Sequence, residues 1–109
     1  MLFIITLTYR RPAEALDAQL EAHRGWLVAN TRAGRIAVAG PLEPRTGGLI
    51  VAHCADRDEL DRMIAQDAFV IHGLVDVDVL CVSPALRHEA FPARWAVEAK
   101  PVAENRLSH

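Results

Sequence analysis

The opening run Leu2-Phe3-Ile4-Ile5-Thr6-Leu7-Thr8-Tyr9 is apolar and β-branched at both alternating sets of positions. Successive side chains of a strand point to opposite faces, so a strand with one wet face alternates apolar with polar residues. A strand that is apolar on both faces has to be covered above and below. Leu2–Tyr9 is therefore predicted to be a central strand, and the chain must supply, or recruit, two covers. The run is too short for a membrane span. No basic segment precedes it and no small-residue cleavage site follows it, so it reads as a strand and not as a leader.

The first cover follows directly. Arg10 and Arg11 end the strand, and Pro12 can open a helix at its first turn. From Ala13 to Ala33, Leu16, Leu20, His23 and Leu27 recur at steps of four, three and four, forming one inward stripe. Gly25 within this helix costs about 1 kcal/mol relative to alanine, which points to close packing or room for a ligand. Gly34 is a natural stop. Arg35–Ala39 reads as a short strand closed by Gly40-Pro41, and Glu43–Gly48 as a turn cluster. Leu49–Cys54 reads as a third strand. Asp56 with Glu59 has the form of a capping box, opening a helix that runs to about Gln66. Leu74–Val82 is a fourth strand, with Val75, Val77, Val79 and Cys81 on one face and Asp76 and Asp78, read as solvated, on the other.

Strand, helix, strand, strand, helix, strand is the split βαβ or ferredoxin-like order, an α+β fold. Both helices cover one face of a four-stranded antiparallel sheet. The opposite face of the first strand still needs its cover, and a second subunit is the simplest one. That predicts a homodimer with sheets packed face to face. At 109 residues the chain is long enough for a core without staples. Residues 1–84 form the predicted domain. Residues 85–109, with Pro92, Pro101 and a sparse apolar set of Phe91, Trp95 and Val97, form a C-terminal extension that packs on the body or on the partner subunit. A short helix is expected near Arg94–Lys100.

A net charge of -2 with scattered lysine and arginine argues against nucleic acid or an anionic membrane as partner. Cys54 and Cys81 have no metal-type or redox-type spacing. They read as reduced thiols acting as small buried hydrophobes in a cytoplasmic protein. The histidines His23, His53, His72, His88 and His109 share no ligand spacing, and there is no phosphate loop, nucleophile elbow or dinucleotide fingerprint. No metal and no cofactor is expected.

The residues that carry chemistry lie in Gln66–Leu74 and on the first helix. Asp67 is expected at the C-terminal end of the second helix, where unpaired carbonyls disfavour a carboxylate and call for a partner. His23, on the apolar stripe of the antiparallel neighbouring helix, is the candidate. Asp67 would accept from one ring nitrogen and leave the other free as a base. The bland readings stand beside it: a core histidine satisfied by backbone or water, and a helix-end aspartate bonded to nearby amides. Tyr9 is either a hydroxyl at the pocket mouth or a half-buried core residue. Gly40 and Pro41 are either a backbone approach to a ligand or a plain turn, and Phe69 is core or pocket wall.

Several of these stretches together resemble the YCII-related (YciI-like) family. They are the strand ending near Tyr9, Ala22-His23-Arg24 with Trp26-Leu27, Ala39-Gly40-Pro41, and Asp67-x-Phe69 followed by Gly73-Leu74. The resemblance covers residues 1 to about 84, and the chain departs from the family's usual Asp-Pro-Phe by having Ala68. It implies a ferredoxin-like dimer related to dimeric α+β barrels, with a histidine–aspartate site at His23 and Asp67. One relative is associated with dehydrochlorination of a chlorinated hydroquinone, which implies small aromatic or lactone-like substrates. The expectation is a small cofactor-independent enzyme of lyase, dehydrochlorinase or isomerase type, with a His23–Asp67 acid/base dyad and a substrate-binding set of Tyr9, Gly40, Pro41 and Phe69. The alternative is a non-catalytic small-ligand-binding or accessory module. A third reading, a haem-degrading or cofactor-free monooxygenase of the related barrel class, finds no haem ligand or oxygen-activating site in the sequence.

Overall fold

The computed structural model describes residues 1–105. The elements run β1 (Leu2–Tyr9), α1 (Ala13–Arg32), β2 (Ile36–Pro41), β3 (Gly47–His53), α2 (Arg57–Ile64), α3 (Ala68–Ile71) and β4 (Val75–Val82), followed by β5 (Leu86–His88) and β6 (Lys100–Val102). The first four strands form one antiparallel sheet in the order β2-β3-β1-β4, so β1 is central as its two apolar faces require. The fold is the expected α+β, ferredoxin-like arrangement, with the four-residue α3 added to the two expected helices.

Register assigns the faces. Phe3, Ile5 and Leu7 stand opposite Ala52, Ile50 and Gly48 on β3 and Cys81, Val79 and Val77 on β4. This is the inner face, and Phe3, Ile5, Leu7, Ile50 and Ala52 are buried with Ile36, Leu60, Met63 and Phe69. Each large side chain of that set contributes about 1.5–3 kcal/mol through burial. Leu2, Ile4 and Thr6 stand opposite His53, Val51 and Leu49, and on the other side Val82, Leu80 and Asp78. Among the described residues no helix covers this outer face, and Leu80, Val82 and Val38 on it are exposed.

Local chemistry sets the element ends. Pro12 is the N-cap of α1, and Gly34, in the left-handed region at φ 80, follows its end. Asp56 caps α2 by accepting from the Glu59 amide at 2.8 Å, while the Glu59 carboxylate accepts from the Ala55 amide at 3.2 Å, one residue earlier than a regular capping box. Gly47 lies so close to β1 that a Cβ there would fall 1.8 Å from the Leu7 carbonyl oxygen. Gly25, by contrast, has open space around its Cβ position, so it marks neither tight packing nor a ligand recess.

Three further expectations are corrected. Cys54 is buried, but Cys81 is exposed, because β4 is an edge strand whose second half carries no buried residue. The segment Arg94–Lys100 does not form a helix. A single 3-10 turn spans Ala93–Trp95, and the chain then enters β6 parallel to β5. Asp67 does not end the second helix: α2 stops at Ile64 and Asp67 begins the next one. The last four residues of the extension, His109 among them, lie outside the described residues. Among the described residues no helix is long and apolar enough to cross a membrane.

Candidate active site

The inward stripe of α1 packs against the core and also lines a cavity. Leu16, Leu20, His23 and Leu27 face the inner side of β1, β3 and β2 across a cavity of about 430 Å³. Tyr9, Gly40, Pro41 and Phe69 also line it, so the structure gathers five of the six site residues expected from sequence around one space. The sixth, Asp67, is fully buried and reaches the cavity only through His23.

Asp67 holds its place through backbone geometry. It stands in extended conformation (φ -70, ψ 130) as the N-cap of α3, and its Oδ1 accepts from the Phe69 amide at 3.2 Å. The same oxygen lies 2.7 Å from Nδ1 of His23, whose side chain is 11% exposed against 0% for the aspartate. Both of the alternatives kept open for Asp67 are thus realised together: it is bonded to an adjacent amide and paired with His23. A carboxylate only accepts, so Nδ1 carries the hydrogen of this bond and Nε2 is left open to another partner. Among the described residues Nε2 has no partner, and neither does the buried Oδ2 of Asp67.

Two aromatic side chains fix the imidazole plane. The Phe69 ring stacks on it at 3.9 Å between centroids and 4° between planes, and Trp26 stacks at 5.9 Å and 27°. Trp26 is itself pinned by its indole N–H, which donates to the Met63 carbonyl at 2.9 Å. Tyr9 meets the edge of Phe69 at 6.3 Å and 85°. Two anchored rings and one carboxylate thus restrict both the tilt and the rotation of His23. A general base needs that kind of positioning, because a proton moves only over hydrogen-bond distances.

The cavity is also lined by charges that the sequence did not assign to a site, Arg24 having entered only through the Ala22-His23-Arg24 stretch. Arg24 and Arg45 line it, with Asp17 beside them, and among the described residues none of the three makes an ion pair. Asp17 and Arg24 lie beside the Leu16–Leu27 stripe at helical spacing, a signal that was readable. Arg45 lies in a turn that only tertiary structure brings to the site. Among the described residues no three histidine, cysteine, aspartate or glutamate side chains come together as a metal-ligand group.

Comparison with known proteins extends the picture. Residues 1–82 match the YCII-related domain. A search of curated proteins finds no match. Among solved structures the chain is similar to the 5-chloro-2-hydroxyhydroquinone dehydrochlorinase TftG of Burkholderia phenoliruptrix, in complex with 2,5-dihydroxybenzoquinone. The TM-score is 0.67 at 22% identity, over 77% of this chain and 95% of that one, which is a likeness of fold. With residues 1–82, most of the chain, matched by the family's domain, the chain belongs to the YCII-related family.

Proposed function

We propose that this protein is a small cofactor-independent enzyme in which His23 and Asp67 act as an acid/base dyad on a small aromatic or lactone-like metabolite. The observation that carries the reading is the 2.7 Å contact between His23 Nδ1 and the fully buried Asp67, with the opposite ring nitrogen unpartnered in the wall of a cavity. A purely structural histidine would have both nitrogens satisfied and be sealed by apolar atoms, so this geometry favours chemistry over a non-catalytic binding module. The cavity volume of about 430 Å³ suits a small ligand. The Burkholderia dehydrochlorinase of similar fold, with its bound dihydroxyquinone, supports a lyase-type reaction on a hydroxylated ring.

In this reading Nε2 takes a proton from a carbon or hydroxyl of the bound molecule, and Asp67 stabilises the imidazolium that forms. The electron pair left behind either expels a leaving group, chloride in a dehydrochlorination, or shifts along the ring before the proton returns, which is isomerisation. Neither course needs an oxidant. In the same reading the Tyr9 hydroxyl would hold a substrate oxygen, Gly40 and Pro41 would shape the β2 side, and Phe69 would provide a flat wall. Arg24 and Arg45 at the rim favour a ligand that ionises, such as an acidic phenol. The protein works as a homodimer whose apolar outer sheet face is covered by a second copy, and its two free thiols suit the cytoplasm.

The test begins with chloride release from 5-chloro-2-hydroxyhydroquinone and a panel of related hydroxyquinols and lactones. On whichever substrate turns over, His23→Ala should lower kcat by about 10²–10⁴-fold, the range for positioned proton transfer. Full activity in His23→Ala refutes the dyad. Without a substrate, nitrogen NMR of the ring should show the Nδ1–H tautomer.

A further inference from the structure

Residues 85–105 lie beyond the matched domain and behave as a separate piece. β5 and β6 pair only with each other. Their bonds also close on themselves. The Lys100 amide donates to the Ala85 carbonyl at 2.8 Å, the Glu89 amide to Val102 at 3.0 Å, and the Arg87 guanidinium to the Phe91 carbonyl at 3.0 Å. Phe91 and Trp95 pack on each other at 6.2 Å, and His88 meets Glu104 at 3.1 Å. Among the described residues no hydrogen bond, ion pair or aromatic contact joins this segment to residues 1–82.

A segment this short cannot hold itself together. Two three-residue strands and one 3-10 turn fall far below the size at which a core is self-sufficient. Yet three of its apolar side chains stay in the open: Leu86, Val97 and Val102 are 67%, 77% and 46% exposed. The whole chain reflects this. It extends 53 Å along its long axis with a radius of gyration of 16.0 Å, where about 13 Å is expected for a compact chain of this length. Its accessible surface is 7346 Å², against roughly 6,000 Å² for a compact monomer of its mass. The excess is of the order that one partner buries in a standard interface, about 800 Å².

We propose that residues 85–105 are an arm that clasps a second copy of this chain, burying Leu86, Val97 and Val102 on the partner. The second copy is favoured over an unrelated protein by continuity. Leu80 and Val82 end β4 on the uncovered outer face, and the chain leaves that face directly into Leu86. The arm therefore extends the same apolar surface that the dimer reading already assigns to the partner, and it rests on that reading. Exchange of arms by a two-fold axis would be reciprocal, each arm serving the other body.

The experiment uses the full chain. The dimer dissociation constant is measured by sedimentation for the wild type and for the triple variant Leu86→Asp, Val97→Asp, Val102→Asp, with circular dichroism confirming the fold. In parallel, Val97→p-benzoylphenylalanine protein is prepared with and without nitrogen-15, mixed, re-equilibrated and photo-crosslinked. The expected result is a dissociation constant at least tenfold higher in the triple variant and arm-to-body crosslinks of mixed isotope. Crosslinks of single isotope only, or an unchanged constant in a folded triple variant, would overturn the clasp while leaving the dimer. A wild type that stays monomeric at 100 µM overturns both. If the triple variant does not fold, the isotope pattern alone decides.

Discussion

The bond between His23 and Asp67 can be weighed without knowing any substrate. Replacing His23 by alanine strands a fully buried carboxylate whose remaining partner is the Phe69 amide. Breaking a buried pair from one side costs about 3–5 kcal/mol. Losing the ring stacked on Phe69 adds a further ~1 kcal/mol. Asp67→Asn keeps the shape and the Oδ1 acceptor, but it gives up the charge and puts an amide NH2 in the buried place of Oδ2, which has no partner. The weaker hydrogen bond costs about 1–2 kcal/mol and the unpaired donor about 1–3 kcal/mol more. In the double variant no charge is stranded, so its cost should fall short of the sum of the two by about 2 kcal/mol. Urea unfolding at pH 7, followed by circular dichroism at one fixed chain concentration, measures all four corners of this cycle, with unchanged slopes as the control. If the double variant lies within about 0.5 kcal/mol of the sum, the pair is not coupled in solution and both the structural and the catalytic argument lose their footing.

Gly47→Ala should cost several kcal/mol or prevent folding, because the added methyl meets the Leu7 backbone at 1.8 Å. Gly25→Ala, in open space within α1, should instead raise the stability by about 0.5–1 kcal/mol, read as a shift in the urea midpoint. An aromatic disulfide reagent should titrate one thiol, Cys81, in the native protein and Cys54 only after unfolding. Burial, reinforced by the Glu59 carboxylate, pushes the Cys54 thiol up from 9.0 to about 11. Between those values the unfolded chain binds fewer protons than the folded one, so this group lowers stability as pH rises from 9.0 through about 11 and leaves it unchanged below that range. Full reaction of Cys54 in the native state at pH 8 would contradict the burial.

The parts of the fold set by periodicity were legible from residues alone. β1 reads as central from its two apolar faces, and α1 reads as one continuous helix from its stripe, ending within a residue of the structure. His23 could be picked out because it is the one ionisable group on that stripe, whereas it meets Asp67 at the start of α3 and not at the expected end of the second helix. What was misread has a common cause in length. α3 is four residues long, shorter than two helical turns, so no periodicity announces it and Asp67 was placed at the wrong kind of helix end. The exposure of Cys81 depends on where the helical layer stops, which alternation along a strand cannot reveal. Arg45 comes to the cavity through a turn, and turns carry no period. The extension was legible as a change of composition but not as a pair of parallel strands, since three-residue strands leave almost no pattern.

A single oxygen, Oδ1 of Asp67, receives both the amide that begins α3 and the imidazole of His23. Any excursion that unwinds those four residues therefore also releases the ring, and any pull on the ring is felt at the start of the helix. The readiness of the dyad and the integrity of a short stretch of backbone are one equilibrium, so protection of the Phe69 amide against solvent exchange is a gauge of how often the histidine is held in working order.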